Sequence, residues 1–229
     1  MNFVEKLLTA SRSNQSLLCI GLDPDPELMP EIDVFQFNKE IIDATSDLVC
    51  AYKPNLAFYE ALGIEGLKAM GKTIAYIPDG IPVIGDAKRG DIASSSKAYA
   101  RALFDTFGFD AVTVNPYMGY DSIVPFIDYA DKGVFILCKT SNPGASDFQE
   151  LLSLEPASGN SASPLFEIVA LKAVEWNTRG NIGLVVGATY PRQLRRIREL
   201  CPELPLLIPG IGSQGGDIAA TVKYGVDAN

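Results

Sequence analysis

Short apolar runs rich in β-branched residues recur along the chain, each followed by a polar turn and then by a longer stretch with helical spacing. The runs predict strands at 17–22, 48–52, 82–85, 111–114, 134–138, 182–186 and 205–208. The intervening spacing predicts helices over 34–46, 57–70, 94–107, 122–130, 164–177, 191–200 and 217–224. In the third of these, Tyr99, Leu103 and Phe107 fall at i, i+4 and i+8, on one helix face. Pro191 suits a first helical turn, and Gly108, Gly180 and Gly225 stand where helices should end. Trp176 and the helix aromatics Phe35, Phe37, Tyr99 and Phe104 read most simply as packing between helices and sheet. No linker or low-complexity tract separates these units, so one domain over 1–229 is expected.

Strands that are apolar nearly throughout and alternate with helices mean a parallel sheet covered by helices. Repeated β/α units of this kind suit either a doubly wound open sheet or most of an eight-stranded barrel. The polar residues decide. The strands run out into chemically unusual sequence: GLDPD, YKPN, GDAKRGD, VNPY, CKTSNPG, VGATYP and PGIGSQGG. Polar groups converging from many strand ends on one rim are the barrel arrangement, whereas an open sheet gathers them at a single switch point. A (β/α)8 TIM barrel of class α/β is therefore predicted. Its eighth β/α unit is not found within the 229 residues, so it is expected beyond Asn229; such barrels typically run to about 250 residues.

Composition narrows function by exclusion. Hydrophobic residues at 47% and charged residues at 21% fit a folded globular chain, and a net charge of −9 disfavours nucleic acid as a partner. An acidic protein that takes a phosphorylated small molecule must hold it locally, with backbone N–H groups and a few cations. The absence of histidine removes imidazole bases, histidine-containing metal sites and Ser-His-Asp triads. Cys19, Cys50, Cys138 and Cys201 are widely spaced without a CxxC, and three lie in apolar runs. Buried free thiols in a reducing compartment are expected. No apolar stretch approaches the roughly 20 residues of a membrane span, and MNFVEKLLTASRSNQS lacks the apolar centre of a signal peptide. No membrane partner and a cytoplasmic setting follow.

The densest chemistry is IPVIGDAKRGDIASS. Asp86 and Lys88, two apart at a strand end, should point to the same side, into the barrel mouth. Asp91 follows on the departing loop, and Lys53 ends another strand in AYKPN. Lys and Asp groups gathered in one pocket hold each other charged; the plain alternative is a solvated turn with ordinary ion pairs. PGIGSQGGD, from Pro209 to Asp217, sets four glycines between a strand and a helix. Its backbone can approach an anion at the helix N-terminus, with Gln214 adding a side-chain amide, although glycine-rich turns are common. KTSNPG ends the fifth strand with Ser141, which can hydrogen-bond a planar heterocycle, and opens a long connection to Pro164. Loops of that length are usually lids or disordered, and the distal part, 148–163, reads as a lid or as a plain insertion. Asp23 ends the first strand, placed for sugar hydroxyls or for an ordinary turn.

GLDPD, YKPN, DAKRGDI, TSNPG, VGATYP and PGIGSQGGD, in that order across nearly the whole chain, resemble the orotidine 5′-phosphate decarboxylase family in its bacterial branch. The resemblance implies a cofactor-free (β/α)8 barrel, working as a homodimer, that converts orotidine 5′-phosphate to UMP and CO2 in pyrimidine synthesis. It implies that Lys88 donates the proton to C6 and that Asp86 sits against the departing carboxylate. Asp91 would enter the neighbouring subunit's site and complete an array with Lys53, Asp86 and Lys88. Asp23 and Lys53 would contact ribose hydroxyls, Ser141 the pyrimidine, and Gln214 with Pro209, Gly210 and Gly215 the phosphate. Ile92 would bind substrate, and Ser95, at a position usually threonine in the family, would contact the partner's ligand. An arginine after the eighth strand, expected beyond Asn229, would complete the phosphate grip. No metal is implied. On the residues alone other readings stay open: a Mg2+-dependent decarboxylase or aldolase with Asp86 on the metal, a Schiff-base aldolase using Lys88 or Lys53, and a silent phosphate-binding barrel.

Overall fold

The computed structural model describes residues 1–154, 162–212 and 214–226. The first half of the chain forms α1 (Phe3–Asn14), β1 (Cys19–Leu22), α2 (Val34–Thr45), β2 (Ala51–Pro54), α3 (Leu56–Ala61), α4 (Gly63–Tyr76) and β3 (Ile84–Arg89). Then come α5 (Ala93–Arg101), β4 (Ala111–Val114), α6 (Tyr120–Ile127) and β5 (Gly133–Lys139). The remainder is a short hairpin of β6 (Leu152–Ser153) and β7 (Ser163–Pro164), then α7 (Leu165–Trp176), β8 (Ile182–Val186), α8 (Pro191–Leu200), β9 (Leu206–Leu207) and α9 (Ile218–Gly225).

All strands except the hairpin pair are parallel, and neighbours follow chain order. β1 pairs β2, and β3-β4-β5-β8-β9 form a second ladder. Bridges Tyr52↔Val83 and Asn55↔Asp86 join the two ladders. A doubly wound sheet reverses its strand order at a switch point; a sheet whose order never reverses is a barrel wall. Seven wall strands lie among the described residues.

The two faces of the wall carry separate cores. Outward residues such as Leu22, Tyr52, Val112, Ile136 and Leu184 pack against the helices. Inward residues Ala51, Ile84, Ala111, Phe135 and Val185 form an inner cluster, joined by Phe3 of α1. Phe3 meets Phe135 edge to face at 5.7 Å, and Lys6 pairs with Asp110 at 2.9 Å. Helix α1 thus closes the end of the barrel opposite the loaded strand ends. A reciprocal cap starts it: the Asn2 side chain accepts from Glu5 N–H, and the Glu5 side chain accepts from Asn2 N–H.

The predicted strands at 111–114 and 182–186 and the helix at 191–200 form with those bounds. Other expectations shift. Helix α1 lies outside the helices that the spacing predicts. The strand expected at 48–52 pairs over Ala51–Pro54, and the one expected at 82–85 runs on to Arg89. Each extension alternates a charged residue facing the barrel mouth, Lys53 in one and Asp86 and Lys88 in the other, with residues such as Pro54 and Ala87, and the charges interrupt the apolar run. The helix expected at 57–70 is two helices broken at Leu62–Gly63, where Gly63 has φ +65°. The helix at 94–107 turns into a π-helical stretch over Ala102–Thr106. Gly108 and Gly180 have the left-handed φ of helix ends, whereas Gly225 is the last residue of α9. The long connection after β5 holds a 3₁₀ turn, Pro143–Asp147, and the small hairpin; residues 155–161 of the expected lid lie outside the described residues.

Candidate active site

Strand β3 supplies the centre of the site. Inward alternation places Ile84 in the barrel core, Asp86 above it and Lys88 at the rim. The Asp86 Oδ2 accepts from Lys53 Nζ at 3.2 Å, from the end of β2. The Asp86 Oδ1 accepts from Lys88 Nζ at 2.7 Å and from the hydroxyl of Thr113, on β4, at 2.9 Å. The side chains of Asp86 and Lys53 are 11% and 14% exposed, while that of Lys88 is 49% exposed and reaches into the mouth. One nearly buried carboxylate therefore stands between two ammonium groups.

The charges reinforce one another. Burial alone would raise the Asp86 carboxyl, but Lys53, Lys88 and the hydrogen bond from Thr113 outweigh it and hold it below the usual range. Burial would likewise lower Lys53, yet the Asp86 and Asp23 carboxylates prevail and hold it above the ordinary lysine value. Asp23 sits at the open end of β1; crowding by neighbouring atoms raises its carboxyl, against the pull of Lys53. Because Asp23 is exposed, water screens much of that effect.

Backbone geometry at the rim is unusual. Lys88 has φ +49° and Ala93 φ +48°, left-handed values rare outside glycine. They bracket the segment carrying Asp91. The Asp91 carboxylate accepts from the backbone N–H of Ile92 at 2.7 Å, and among the described residues it forms no ion pair within this chain. Ile92 and Ser95 are exposed on the same stretch. Arg89 pairs with Glu60 and lies 5.2 Å from the Tyr99 ring.

Across the rim, the loops after β5, β8 and β9 enclose a cavity of about 490 Å³ lined by Ser141, Asn142, Pro143, Thr189, Tyr190 and Gln214. The chain ends approach closely here. A Cβ on Gly187 would stand 2.7 Å from Ser141 Cα, so only glycine lets β8 pass. Thr189 Oγ1 donates to the Ser141 carbonyl at 3.0 Å, and the Tyr190 hydroxyl donates to the Asn142 carbonyl at 3.2 Å. Gly210 has φ +102°, and the Gln214 Oε1 lies 3.1 Å from where its Cβ would stand. The residues expected to hold phosphate and base thus meet, with Pro209 and Gly215 on the same turn; Ser213 lies outside the described residues. At the adjoining helix start the Asp217 side chain already accepts from Ala220 N–H, so one N-terminal donor of α9 is taken.

The structure brings together Lys53, Asp86 and Lys88 in one cluster, and Ser141, Gly210 and Gln214 in another. Asp91, Ile92 and Ser95 join neither. Reading the sequence overlooked Thr113, a lone hydroxyl in the apolar run AVTV; its inward register, two residues after Ala111, was the available signal. It also passed over Thr189 and Tyr190, inside the noted VGATYP. Among the described residues no three His, Cys, Asp or Glu side chains gather as metal ligands.

A barrel whose mouth holds a carboxylate clamped by two ammonium groups, beside a cavity lined by hydroxyl and amide side chains, is that of an enzyme handling an anionic small molecule. The family model for orotidine 5′-phosphate decarboxylase and the HUMPS enzymes matches residues 16–229, and the chain belongs to this family. It is 55% identical over 230 residues to the orotidine 5′-phosphate decarboxylase of Dehalococcoides mccartyi, covering 100% of this chain and 84% of that protein. It is 57% identical to the one of Herpetosiphon aurantiacus, over 94% of this chain and 81% of that protein. The solved Leishmania donovani OMP decarboxylase superposes with a TM-score of 0.88 at 41% identity, covering 100% of this chain and 85% of that one. The chain also matches 48% of the length of Leishmania donovani UMP synthase, with a TM-score of 0.89 and 43% identity over 99% of this chain. The barrel assignment and the enzyme class, a carboxy-lyase, stand on these matches.

Proposed function

We propose that this chain converts orotidine 5′-phosphate to UMP and CO2 in pyrimidine biosynthesis without a cofactor, Lys88 delivering the proton to C6. The observation that carries this is the Asp86 carboxylate held between Lys53 and Lys88 at the mouth of the barrel. As the C6–carboxylate bond breaks, its electron pair stays on C6, in the ring plane and without a π-acceptor. Fixed positive charge where the anion develops lowers that barrier, and Lys88 supplies it before giving its proton to C6. Solvent then restores the ammonium. Asp86 faces the substrate carboxylate and favours its departure.

Both Asp86 oxygens are engaged by Lys53, Lys88 and Thr113, and the two ammonium groups at hydrogen-bond distance oppose a divalent ion on the same carboxylate. Ribose hydroxyls fall to Asp23 and Lys53, the pyrimidine to Ser141, and the phosphate to Gln214 and the turn of Pro209, Gly210 and Gly215. The chain works as a homodimer in which Asp91, Ile92 and Ser95 serve the partner's site. The lack of an ion pair to Asp91 among the described residues, and the apolar side chains exposed nearby, support this. Ile92 is 54% and Tyr117 85% exposed on adjacent loops. No described helix is long and apolar enough to cross a membrane.

The test is CO2 release from orotidine 5′-phosphate in excess EDTA. Full activity is expected; loss on chelation points to the metal-dependent sugar phosphate enzymes instead. Lys88→Ala should drop kcat by at least about 1,000-fold while UMP still binds, and a near-normal kcat removes Lys88 as the donor.

A further inference from the structure

We propose that Thr113 is a positioning residue for this reaction: its hydroxyl holds the Asp86 carboxylate and the left-handed backbone of Lys88 in working register at once. The inference rests on the decarboxylase reading above. The register between β3 and β4 moves from Gly85↔Val112 directly to Arg89↔Val114. Asp86, Ala87 and Lys88 therefore stand opposite Thr113 alone, a bulge that interrupts the ladder where the two charged residues must project. Within the gap Lys88 N–H donates to Thr113 Oγ1 at 2.9 Å, and that hydroxyl donates onward to Asp86 Oδ1 at 2.9 Å. Thr113 is 1% exposed, so no water substitutes for it without rearrangement. The ladder resumes beyond the bulge, where Asn115 N–H donates to the Arg89 carbonyl at 2.7 Å.

One hydroxyl thus replaces the missing rung and fixes both members of the Asp–Lys pair. A valine there fills the same space, keeps the strand propensity and leaves the Lys88 N–H unpaired and the carboxylate one donor short. The Asp86 carboxylate is faced by Lys53 from β2, by Lys88 from its own strand, and by Asp23 and Cys19 from β1. Loss of the hydroxyl removes a neutral donor from that set without changing its charge.

The test compares Thr113→Val and Thr113→Ser in the full chain. Thr113→Val should lower kcat by roughly 10- to 100-fold, with UMP affinity changed less than about twofold. Thr113→Ser, which keeps the hydroxyl, should recover most of the loss. In Thr113→Val the Asp86 carboxyl, followed by 13C NMR, should titrate at higher pH than in the wild type. A kcat within twofold of wild type, equal losses in the two variants, or an unmoved Asp86 titration overturns the proposal. Failure of the wild-type chain to release CO2 would instead strike the decarboxylase reading. The NMR comparison still decides whether Thr113 holds Asp86.

Discussion

Asp86 concentrates the electrostatics of the site in one side chain. Its carboxyl is held low by Lys53 and Lys88, so its interactions stabilise the fold above the ordinary carboxyl value of 3.8 and are lost as pH falls through its lowered value. Lys53, held high, contributes fully below its ordinary 10.5 and loses that contribution only as pH rises through its raised value. Between those limits the pair keeps its charges. Asp86→Asn leaves two ammonium groups against a neutral amide. It should lower unfolding free energy by about 2 kcal/mol at pH 7, measured by urea denaturation. The gap between variant and wild type should narrow as pH drops below 3.8; a gap that stays constant would mean that Asp86 is not ionised in the folded protein. The thiols sit at the other extreme. Burial pushes Cys50 and Cys201 up to about 11 and Cys19 up to about 12, and all four cysteines are free, so they are poor nucleophiles at neutral pH.

Among the elements, α1 is the one whose loss should be felt by the barrel and not by the chemistry. Phe3, 4% exposed and stacked edge to face on Phe135, fills the floor of the inner core. Phe3→Ala should reduce stability by about 3 kcal/mol and leave KM for orotidine 5′-phosphate unchanged; a raised KM would place α1 in contact with the site. This element was also the hardest to read. Its apolar positions are few and interleaved with charges, and its purpose appears only once an open barrel end exists to cover. Strand positions were legible because the wall is apolar on both faces, and the cluster of Asp86 and Lys88 was legible from their spacing of two. Strand ends were misplaced for the reason that makes them useful: polar side chains aimed at a cavity break the hydrophobic run while the backbone pairing continues. Thr113 escaped because a β-branched hydroxyl residue in a strand carries no local signal of function.

At the scale of the assembly, the proposed completion of the site by Asp91 of a second copy predicts complementation. Neither Lys88→Ala nor Asp91→Ala homodimers should turn over appreciably. Mixed and reassociated at equal concentration, half the dimers are hybrids with one intact site of two, so about a quarter of wild-type activity should return. No recovery after verified subunit exchange would mean that each site is built from one chain. The uninterrupted strand order has a consequence for biogenesis. Each wall strand finds its partner in the segment made just before it, so the sheet can grow rung by rung while the polypeptide leaves the ribosome. At every pause the newest strand is a bare edge. Gly133–Lys139, the longest of the wall strands and buried along nearly all its length in the finished molecule, is the edge most exposed to sticking if translation stalls there.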